Sequence, residues 1–330
     1  MRKTVCATLA VMMSVLFSPL SQAGQAWESY KARFFKPEGR IVDTGNGGVS
    51  HTEGQGFAML MAVANDDKAT FDKLWQWTNR ELKNKENGLF YWRYNPAESN
   101  PVADKNNAAD GDVLIAWALL KADARWHDKR YGAASDAITK ALVAHSVIRY
   151  AGYRVMLPGV QGFKLDGEAI LNPSYFVFPA WQAFAGRSHL PVWRDLIKDG
   201  KRLLGKMGSG KADLPADWVS LASDGKLEPA KGWPPRMSYD AIRIPLYLVW
   251  SDKQSPLLTP WKAWFGQFPR EQTPAWVNVT TNEYAPYMME GGLLAVRDLT
   301  MGQSSGEPEI TSKDDYYSAS LKMLVWISAQ

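Results

Sequence analysis

The chain has 330 residues, of which 46% are hydrophobic, and its formal net charge at pH 7 is +4. It contains no dense run of lysine and arginine, which argues against a nucleic-acid-binding face and fits a neutral polymer better. Cys6 is the only cysteine, so an internal disulfide and a multi-cysteine zinc site are excluded. The 15 tryptophans, 13 tyrosines and 12 phenylalanines either fill the core or supply flat rings with polar edges, which suit stacking on sugars.

A signal peptide is predicted over residues 1–23. Arg2 and Lys3 precede an apolar run, Val5–Phe17, that is short for a bilayer span, and small residues follow at the spacing of a cleavage site. The alternative is a buried N-terminal helix. We therefore expect an exported protein, periplasmic or secreted, with one domain over residues 24–330, no membrane span and a monomeric state.

The hydrophobic pattern is mainly helical, because apolar residues recur every three or four positions. Paired helices repeat along the chain, which favours a closed or stacked helix-pair architecture. In chain order, the predicted helices are Trp27–Phe35, Glu53–Asn65, Lys68–Leu82, Asp112–Trp126, Tyr131–Tyr150, Tyr175–Ala185, Pro191–Met207, Ala241–Trp250, Pro260–Phe268, Tyr284–Asp298 and Lys313–Ile327. Short strands are predicted at Gly88–Tyr94 and Gly152–Pro158.

The first candidate for chemistry is Glu53 in the segment His51–Gly56 (HTEGQG), just before a strongly apolar helix. Glycines beside an acid allow a bulky ligand to approach the backbone. The competing interpretation is a capping box formed by Ser50 and Glu53. Because a helix N-terminus favours the charged carboxylate, a catalytic acid here needs apolar walls or a second carboxylate to stay protonated.

The second candidate is the segment Ala108–Asp112 (AADGD), in which Asp110 and Asp112 flank a glycine before a long apolar helix. Side chains two positions apart on a helix point to different sides, so we expect the two acids to have different roles. The alternative is an acidic helix start that interacts with the helix dipole.

The third candidate is Asp240 in the segment Ser238–Pro245 (SYDAIRIP). Arg243 lies three positions later, so the two side chains can meet on one helix face. A neighbouring guanidinium favours the ionised carboxylate that a general base requires. The alternative is an ordinary surface ion pair in a first helical turn.

Other common sites are not indicated. The four histidines, His51, His127, His145 and His189, lack the paired spacing of a metal site, so we expect no metal and no cofactor. No G-x-S-x-G segment occurs. Gly205–Ala212 nearly matches a phosphate-binding loop, but it ends in alanine where Ser or Thr would bind magnesium, and a helical pattern precedes it.

Taken together, four blocks of the chain resemble glycoside hydrolase family 8. Thr52–Thr78 is similar to the block around the family's proton donor, S/T-E-G-Q-G-Y-G-M, and Ala109–Trp126 to the signature A-S/T-D-A/G-D. Asn172–Phe184 and Ser238–Tyr247 resemble two further blocks, and the last carries the base in the family. The blocks occur in family order. Within the family, the exported endoglucanases of bacterial cellulose-synthesis operons are the most similar.

The resemblance implies an all-α fold, an (α/α)6 barrel of six inner and six outer helices with a substrate cleft across one end and minor short β segments. It implies an endo-1,4-β-glucanase (cellulase) that hydrolyses cellulose-type glucan or cello-oligosaccharides with inversion. Residues 24–330 would form the catalytic domain. By position, Glu53 would be the general acid and Asp240 the general base, while Asp110 would hold the distorted sugar and favour a protonated Glu53.

The predicted substrate-binding side chains are aromatic, with one arginine: Tyr239, Arg243, Trp92, Tyr175, Trp181 and Tyr317. The chain departs from the family pattern at three positions. Ala109 replaces the Ser or Thr of the signature, and Phe57 and Ala58 replace the usual Tyr-Gly after the donor. The lost hydroxyl groups bear on rate and exact substrate more than on reaction class.

Two other functions remain open at this point. The first is an enzyme of the same fold that acts as a chitosanase, a xylanase or a mixed-linkage glucanase. The second is a non-catalytic polysaccharide-binding protein that assists cellulose export. Retention of all three acids argues against the second, since binding alone needs no acid–base pair. For the endoglucanase, we expect a functional link to cellulose synthase.

Overall fold

The computed structural model describes residues 24–303 and 306–330, so the signal peptide predicted over residues 1–23 lies outside the described part. Helix accounts for 48% of the described residues. The α-helices in the described ranges are α1 (Gln25–Phe34), α2 (Thr52–Ala64), α3 (Lys68–Glu81), α4 (Ala109–Trp126), α5 (Lys129–His145), α6 (Phe178–Ser188), α7 (Pro191–Leu204), α8 (Arg243–Ser251), α9 (Thr259–Phe265), α10 (Gly291–Thr300) and α11 (Tyr316–Ser328).

Six of these helices form a closed ring. In cyclic order, α2, α4, α6, α8, α10 and α11 each contact the next, and α11 returns to α2. The other helices each pack against one ring helix: α3 on α2, α5 on α4, α7 on α6, α9 on α10 and α1 on α11. Between residues 300 and 316 the described residues contain no helix, so the sixth outer helix that the resemblance implies is missing here.

The strands are short and lie at the edges of the helical ring. They are β1 (Ser50–His51), β2 (Arg93–Tyr94), β3 (Val147–Tyr150), β4 (Tyr153–Met156), β5 (Glu168–Leu171), β6 (Val219–Ala222), β7 (Leu227–Pro229), β8 (Arg236–Met237) and β9 (Val277–Asn278). All pairings are antiparallel: β1 with β2, β3 with β4, β5 with β6 and β7, and β8 with β9.

Two predicted helices are wrong at one end. The prediction Tyr131–Tyr150 runs through β3; α5 ends at His145, and the chain then turns back into β4 through Ala151 and Gly152, both at positive φ. The prediction Tyr284–Asp298 starts too early, because residues 284 and 288 pair with residues 277 and 274 as isolated bridges. In both segments the apolar spacing is compatible with helix and strand, and tertiary pairing decides.

Helices α2 and α4 approach each other unusually closely. A Cβ on Gly56 would lie 2.5 Å from the Leu114 Cβ, and one on Gly111 would lie 2.1 Å from the Thr52 Oγ1 and 2.9 Å from its carbonyl carbon. A Cβ cannot approach a backbone atom or another Cβ that closely, so both positions require glycine. Since Thr52 precedes Glu53 and Gly111 follows Asp110, this contact fixes the spacing of two predicted site residues.

No helix within residues 24–303 or 306–330 has both the length and the hydrophobicity needed to cross a membrane.

The α2–α4 contact is tested with Gly111→Ala. We expect a loss of roughly 1–3 kcal/mol in the free energy of unfolding, because the added methyl group must push the first turns of the two helices apart. Gly186→Ala, in α6, is the matched control: a Cβ there meets nothing within 4 Å, so a neutral or slightly stabilising effect is expected. Urea denaturation of both variants measures the difference. Equal stability of the two would contradict the tight contact.

Candidate active site

The predicted site residues meet where the N-termini of the ring helices converge. Glu53 is in the first turn of α2, Asp110 is in the first turn of α4, and Arg243 is the first residue of α8. Asp240 lies in the turn just before α8 rather than on the helix itself. The ring geometry therefore brings together side chains that are up to 190 positions apart in the sequence.

The guanidinium of Arg243 is the centre of the cluster. Its Nη1 donates to the Glu53 Oε2, and its Nη2 donates to the Asp240 Oδ1 at 3.0 Å and to the Ser174 Oγ at 2.8 Å. The Asp110 Oδ2 lies 3.8 Å from the same Nη2. The predicted contact between Asp240 and Arg243 is present, and the contact of Arg243 with Glu53 was not predicted from the sequence.

Exposure separates the four charged side chains into two pairs. Arg243 and Asp110 are enclosed, with 3% and 4% of the side chain exposed. Glu53 keeps 17% exposure and Asp240 keeps 33%. A bound molecule can therefore contact Glu53 and Asp240 directly, while the enclosed Arg243 binds both carboxyls.

Burial and like charge raise the proton affinity of the carboxyls. The pKa of Asp110 is raised to about 7, first by burial and then by the charge of Glu53, against the lowering effect of Arg243. Burial also raises the pKa of Asp240, and Arg243 opposes this shift more than any other neighbour does. The guanidinium thus favours a charged Asp240, as predicted, but does not outweigh the loss of water around it.

The capping box proposed for Ser50 and Glu53 is not formed. Ser50 donates to the carbonyl of Ile41, and the N-cap of α2 is His51, whose Nδ1 accepts from the Gly54 N–H at 3.3 Å. Glu53 is consequently free of the cap and points to Arg243. The glycines of this segment also differ from expectation, since a Cβ on Gly54 would meet protein, the Tyr316 hydroxyl at 2.6 Å, rather than a ligand.

Asp112 has a different role from Asp110, in agreement with their two-residue spacing. It is fully buried and accepts hydrogen bonds from the Phe90 N–H at 2.9 Å and the Asn107 Nδ2 at 2.8 Å. Burial raises its pKa to about 8. The Asn107 Oδ1 accepts from the Val160 N–H, so Asp112 connects three loops beside the site and does not face it.

Four of the five predicted aromatic platforms lie partly open to solvent, and one does not. Tyr239 is exposed, and Trp92, Tyr175 and Tyr317 are half-buried. Tyr317 donates its hydroxyl to the carbonyl of Tyr239, so it also holds the turn that carries Asp240. Trp181 is only 1% exposed and packs in the core among other aromatic rings. The prediction of Trp181 as a sugar platform is therefore wrong.

Several residues at the site were missed. Phe163, Trp218 and Trp233 form an aromatic stack, with ring centroids 5.7 and 4.9 Å apart, and Tyr175 meets Trp218 edge-on. Asp217, beside this stack, accepts from the backbone on either side of Asp240. These residues lie in and around short strands whose sequence carries no motif.

The geometry suits proton transfer at two positions. Two partly open carboxyls share one buried cation, and a third carboxyl with a raised pKa lies beside them. Pairs of carboxyls in different environments are the arrangement that general acid–base hydrolysis needs. Within the described residues, no group of three or more His, Asp or Glu side chains is arranged to hold a metal ion.

The whole chain, residues 1–330, matches the family model of glycosyl hydrolases family 8. Over 303 residues it is 62% identical to an endoglucanase of Cellulomonas uda, a match that covers 92% of this chain and 84% of that protein.

Two solved structures are similar along nearly their full length. An endoglucanase of Klebsiella pneumoniae, a family 8 glycosyl hydrolase, has a TM-score of 0.92 at 66% identity and covers 93% of this chain and 99% of its own. An endo-β-1,4-glucanase of Acetobacter xylinum has a TM-score of 0.88 at 39% identity, with 93% and 97% coverage. These similarities confirm the predicted (α/α)6 barrel class.

The central position of Arg243 is tested with Arg243→Met. We expect the free energy of unfolding at pH 7 to fall by about 3–5 kcal/mol, because Glu53 and Asp240 lose the guanidinium that contacts both of them. Raised carboxyl pKa values mean that the folded state binds protons more tightly, so the loss should shrink as the pH is lowered toward 5.

Arg270→Met is the control, since Arg270 pairs with Asp298 at the surface and its loss should cost less than about 1 kcal/mol. Urea unfolding at pH 7 and pH 5 provides the comparison. A loss for Arg243→Met that does not depend on pH would contradict the electrostatic role.

Proposed function

Because this chain belongs to glycosyl hydrolases family 8 and is a glycoside hydrolase of the endoglucanase type, we propose that it cleaves β-1,4-glucan with inversion, with Glu53 as general acid and Asp240 as general base. The observation that carries this proposal is the pair of partly open carboxyls joined by the buried Arg243. The similar Acetobacter xylinum protein is an endo-β-1,4-glucanase by name, which supports the choice of linkage.

In the proposed reaction, Glu53 donates its proton to the glycosidic oxygen as the bond to the anomeric carbon breaks. A water molecule attacks that carbon from the opposite face, and Asp240 accepts a proton from the water. The new C–O bond then has the opposite configuration, and no covalent enzyme intermediate forms. Inverting enzymes keep the two carboxyl groups roughly 6.5–9.5 Å apart, which leaves room for that water.

Asp110 is proposed to support the acid rather than to react with the sugar. Its raised pKa, about 7, means that Asp110 holds a proton beside Glu53 at mildly acidic pH. Asp110 loses this proton as the pH rises through about 7, whereas Asp240 must lose its own proton to act as a base. Activity should therefore be limited on the acidic side by Asp240 and on the basic side by loss of the Asp110 proton.

Arg243 is proposed to hold both reacting carboxyls in position. It contacts Glu53 through one nitrogen and Asp240 through the other, so its planar fork fixes their relative orientation. The Ser174 Oγ accepts a hydrogen bond from Nη2, and this contact orients the guanidinium. Arg243 is thus a positioning residue in this mechanism, and the earlier prediction of sugar binding by Arg243 is replaced by this role.

We also propose export and a role beside cellulose synthesis. The apolar run Val5–Phe17 after Arg2 and Lys3 supports export. Mass spectrometry of the protein recovered from the periplasm or medium tests this, with an N-terminus at Gly24 expected. The link to synthesis rests on the resemblance alone, and the neighbouring genes would test it.

The two catalytic roles are separable with Glu53→Gln and Asp240→Asn. An acid is needed only for a poor leaving group, so Glu53→Gln should lose roughly 10²–10⁴-fold on cello-oligosaccharides and recover much of this on a 2,4-dinitrophenyl cellobioside. Asp240→Asn should lose activity on both substrates while binding cello-oligosaccharides as the unmodified enzyme does. Calorimetric binding and stopped-flow release of dinitrophenol measure these outcomes. Equal recovery in both variants would contradict the assignment.

The substrate is tested by a reducing-sugar assay on carboxymethyl cellulose, chitosan, xylan and mixed-linkage glucan. We expect the highest kcat/KM on the β-1,4-glucan. A higher value on one of the other polymers would assign the corresponding specificity to the same acid–base pair. Binding to all four without release of reducing ends would indicate the non-catalytic alternative.

A further inference from the structure

Asp217 lies two residues before the start of β6 and is bound to the segment that carries Asp240. Its backbone N–H donates to the Arg236 carbonyl at 2.7 Å. Its Oδ1 accepts from the N–H groups of Ser238 at 2.9 Å and Ala241 at 2.8 Å, and its Oδ2 accepts from the Ser238 hydroxyl. One side chain therefore binds the backbone on both sides of Asp240.

The small sheet places two further side chains at the same end. In the β5–β6 pairing, Leu171 is opposite Val219, so the residues that flank this pair, Asn172 and Trp218, lie side by side where the strands end. Both side chains lie near Asp240 and lower its pKa, in part against the effect of burial. The end of the β5–β6 pair therefore lies beside Asp240 and helps to hold it in place.

Asp217 is a second carboxyl at this end of the sheet, beside Asp240. Burial, and next the charge of Asp240, raise the pKa of Asp217 to about 6. The hydrogen bonds from Ser238 and Ala241 oppose this shift, because they favour the ionised form. Two interacting carboxyls lose their protons in two steps that belong to the pair, so each affects the titration of the other.

Charged and titratable groups also face Asp240 from the other elements packed around it. They are Glu53 on α2, Asp110 on α4, Tyr175 before α6, Arg243 on α8 and Tyr317 on α11. Arg243 is the cation of this set. Tyr317 donates its hydroxyl to the carbonyl of Tyr239, whereas Asp217 is a carboxyl that accepts from N–H groups on both sides of Asp240. This combination of backbone binding and charge distinguishes Asp217 from the rest.

We propose that Asp217 is a positioning residue for the general base: its hydrogen bonds fix the Ser238–Ala241 turn and thereby the direction in which the Asp240 carboxylate points. The inference rests on the proposed role of Asp240 and extends it to a residue that does not contact the sugar.

Two substitutions test this role, because one keeps the hydrogen bonds of Asp217 and the other removes them. In Asp217→Asn, the remaining carbonyl oxygen can still accept from both N–H groups and the amide can donate to the Ser238 oxygen, so the turn persists without the charge. In Asp217→Ala, both N–H groups and the hydroxyl lose their acceptor, so the turn is released as well. Asp224→Asn, in the β6–β7 turn, is the matched control because it removes one exposed acid from the same sheet.

The measurement is kcat and KM as functions of pH on a soluble cello-oligosaccharide, with circular dichroism to confirm folding. Asp217→Asn should keep kcat and the acidic limb of kcat/KM close to those of the unmodified enzyme, because the turn persists and Asp217 gives up its own proton only after Asp240 is charged. Asp217→Ala should lower kcat roughly 10²-fold with little change in KM, because the base is misplaced. Asp224→Asn should match the unmodified enzyme in both.

A kcat that is retained in Asp217→Ala, or one that falls as far in Asp217→Asn as in Asp217→Ala, would overturn the inference. Loss of activity in step with loss of thermal stability would assign Asp217 a purely structural role and also overturn it. Failure of the proposed function is recognised separately, because Asp240→Asn would then remain active on cello-oligosaccharides whatever the Asp217 variants do.

Discussion

A single buried cation among three carboxyls is the constraint on which this site depends. Arg243 contacts Glu53 and Asp240 directly and lies near Asp110. Moving these charges out of water costs several kcal/mol per ion, and one guanidinium cannot neutralise three carboxylates. The imbalance keeps protons on the cluster, as the pKa of Asp110, about 7, shows. This shortage of positive charge suits a site in which one carboxyl must donate a proton and another must accept one.

The helical ring creates this cluster by directing the N-termini of several ring helices to one place. A helix N-terminus stabilises a nearby carboxylate by roughly 0.3–1 kcal/mol, which is smaller than the cost of burying the charge. Burial therefore decides the outcome at Asp110, although its Oδ1 accepts from the Gly111 N–H. The close α2–α4 contact at Gly56 and Gly111 holds together the first turns that carry Glu53 and Asp110.

The sequence predicts the helices and the candidate acids better than it predicts the residues that hold those acids in place. Each α-helix of the described residues overlaps a predicted one, because a long amphipathic pattern identifies a helix even when its ends are uncertain. Glu53, Asp110 and Asp240 were found because each lies in a motif of its own. Asp217 was not, because its partners are 21 and 24 positions away and the strand beside it has only four residues.

Aromatic residues show the same limit. Trp181 and Tyr175 both belong to the block Asn172–Phe184, yet Trp181 is in the core and Tyr175 is next to the carboxyls. A single tryptophan on an apolar helix has the same local sequence whether it faces the core or a cleft. Trp233, which continues the stack on Trp218, lies in a loop with no repeating pattern and could be located only from the fold.

The central claim is that Glu53 and Asp240 act on opposite faces of the sugar without a covalent intermediate. Proton NMR of the first sugars released from a cello-oligosaccharide, recorded before mutarotation, tests it most directly. The account predicts that the newly formed reducing end appears first as the α-anomer, because water attacks a β-linkage from the opposite face. Initial release of the β-anomer would indicate retention and would contradict the roles assigned to both carboxyls.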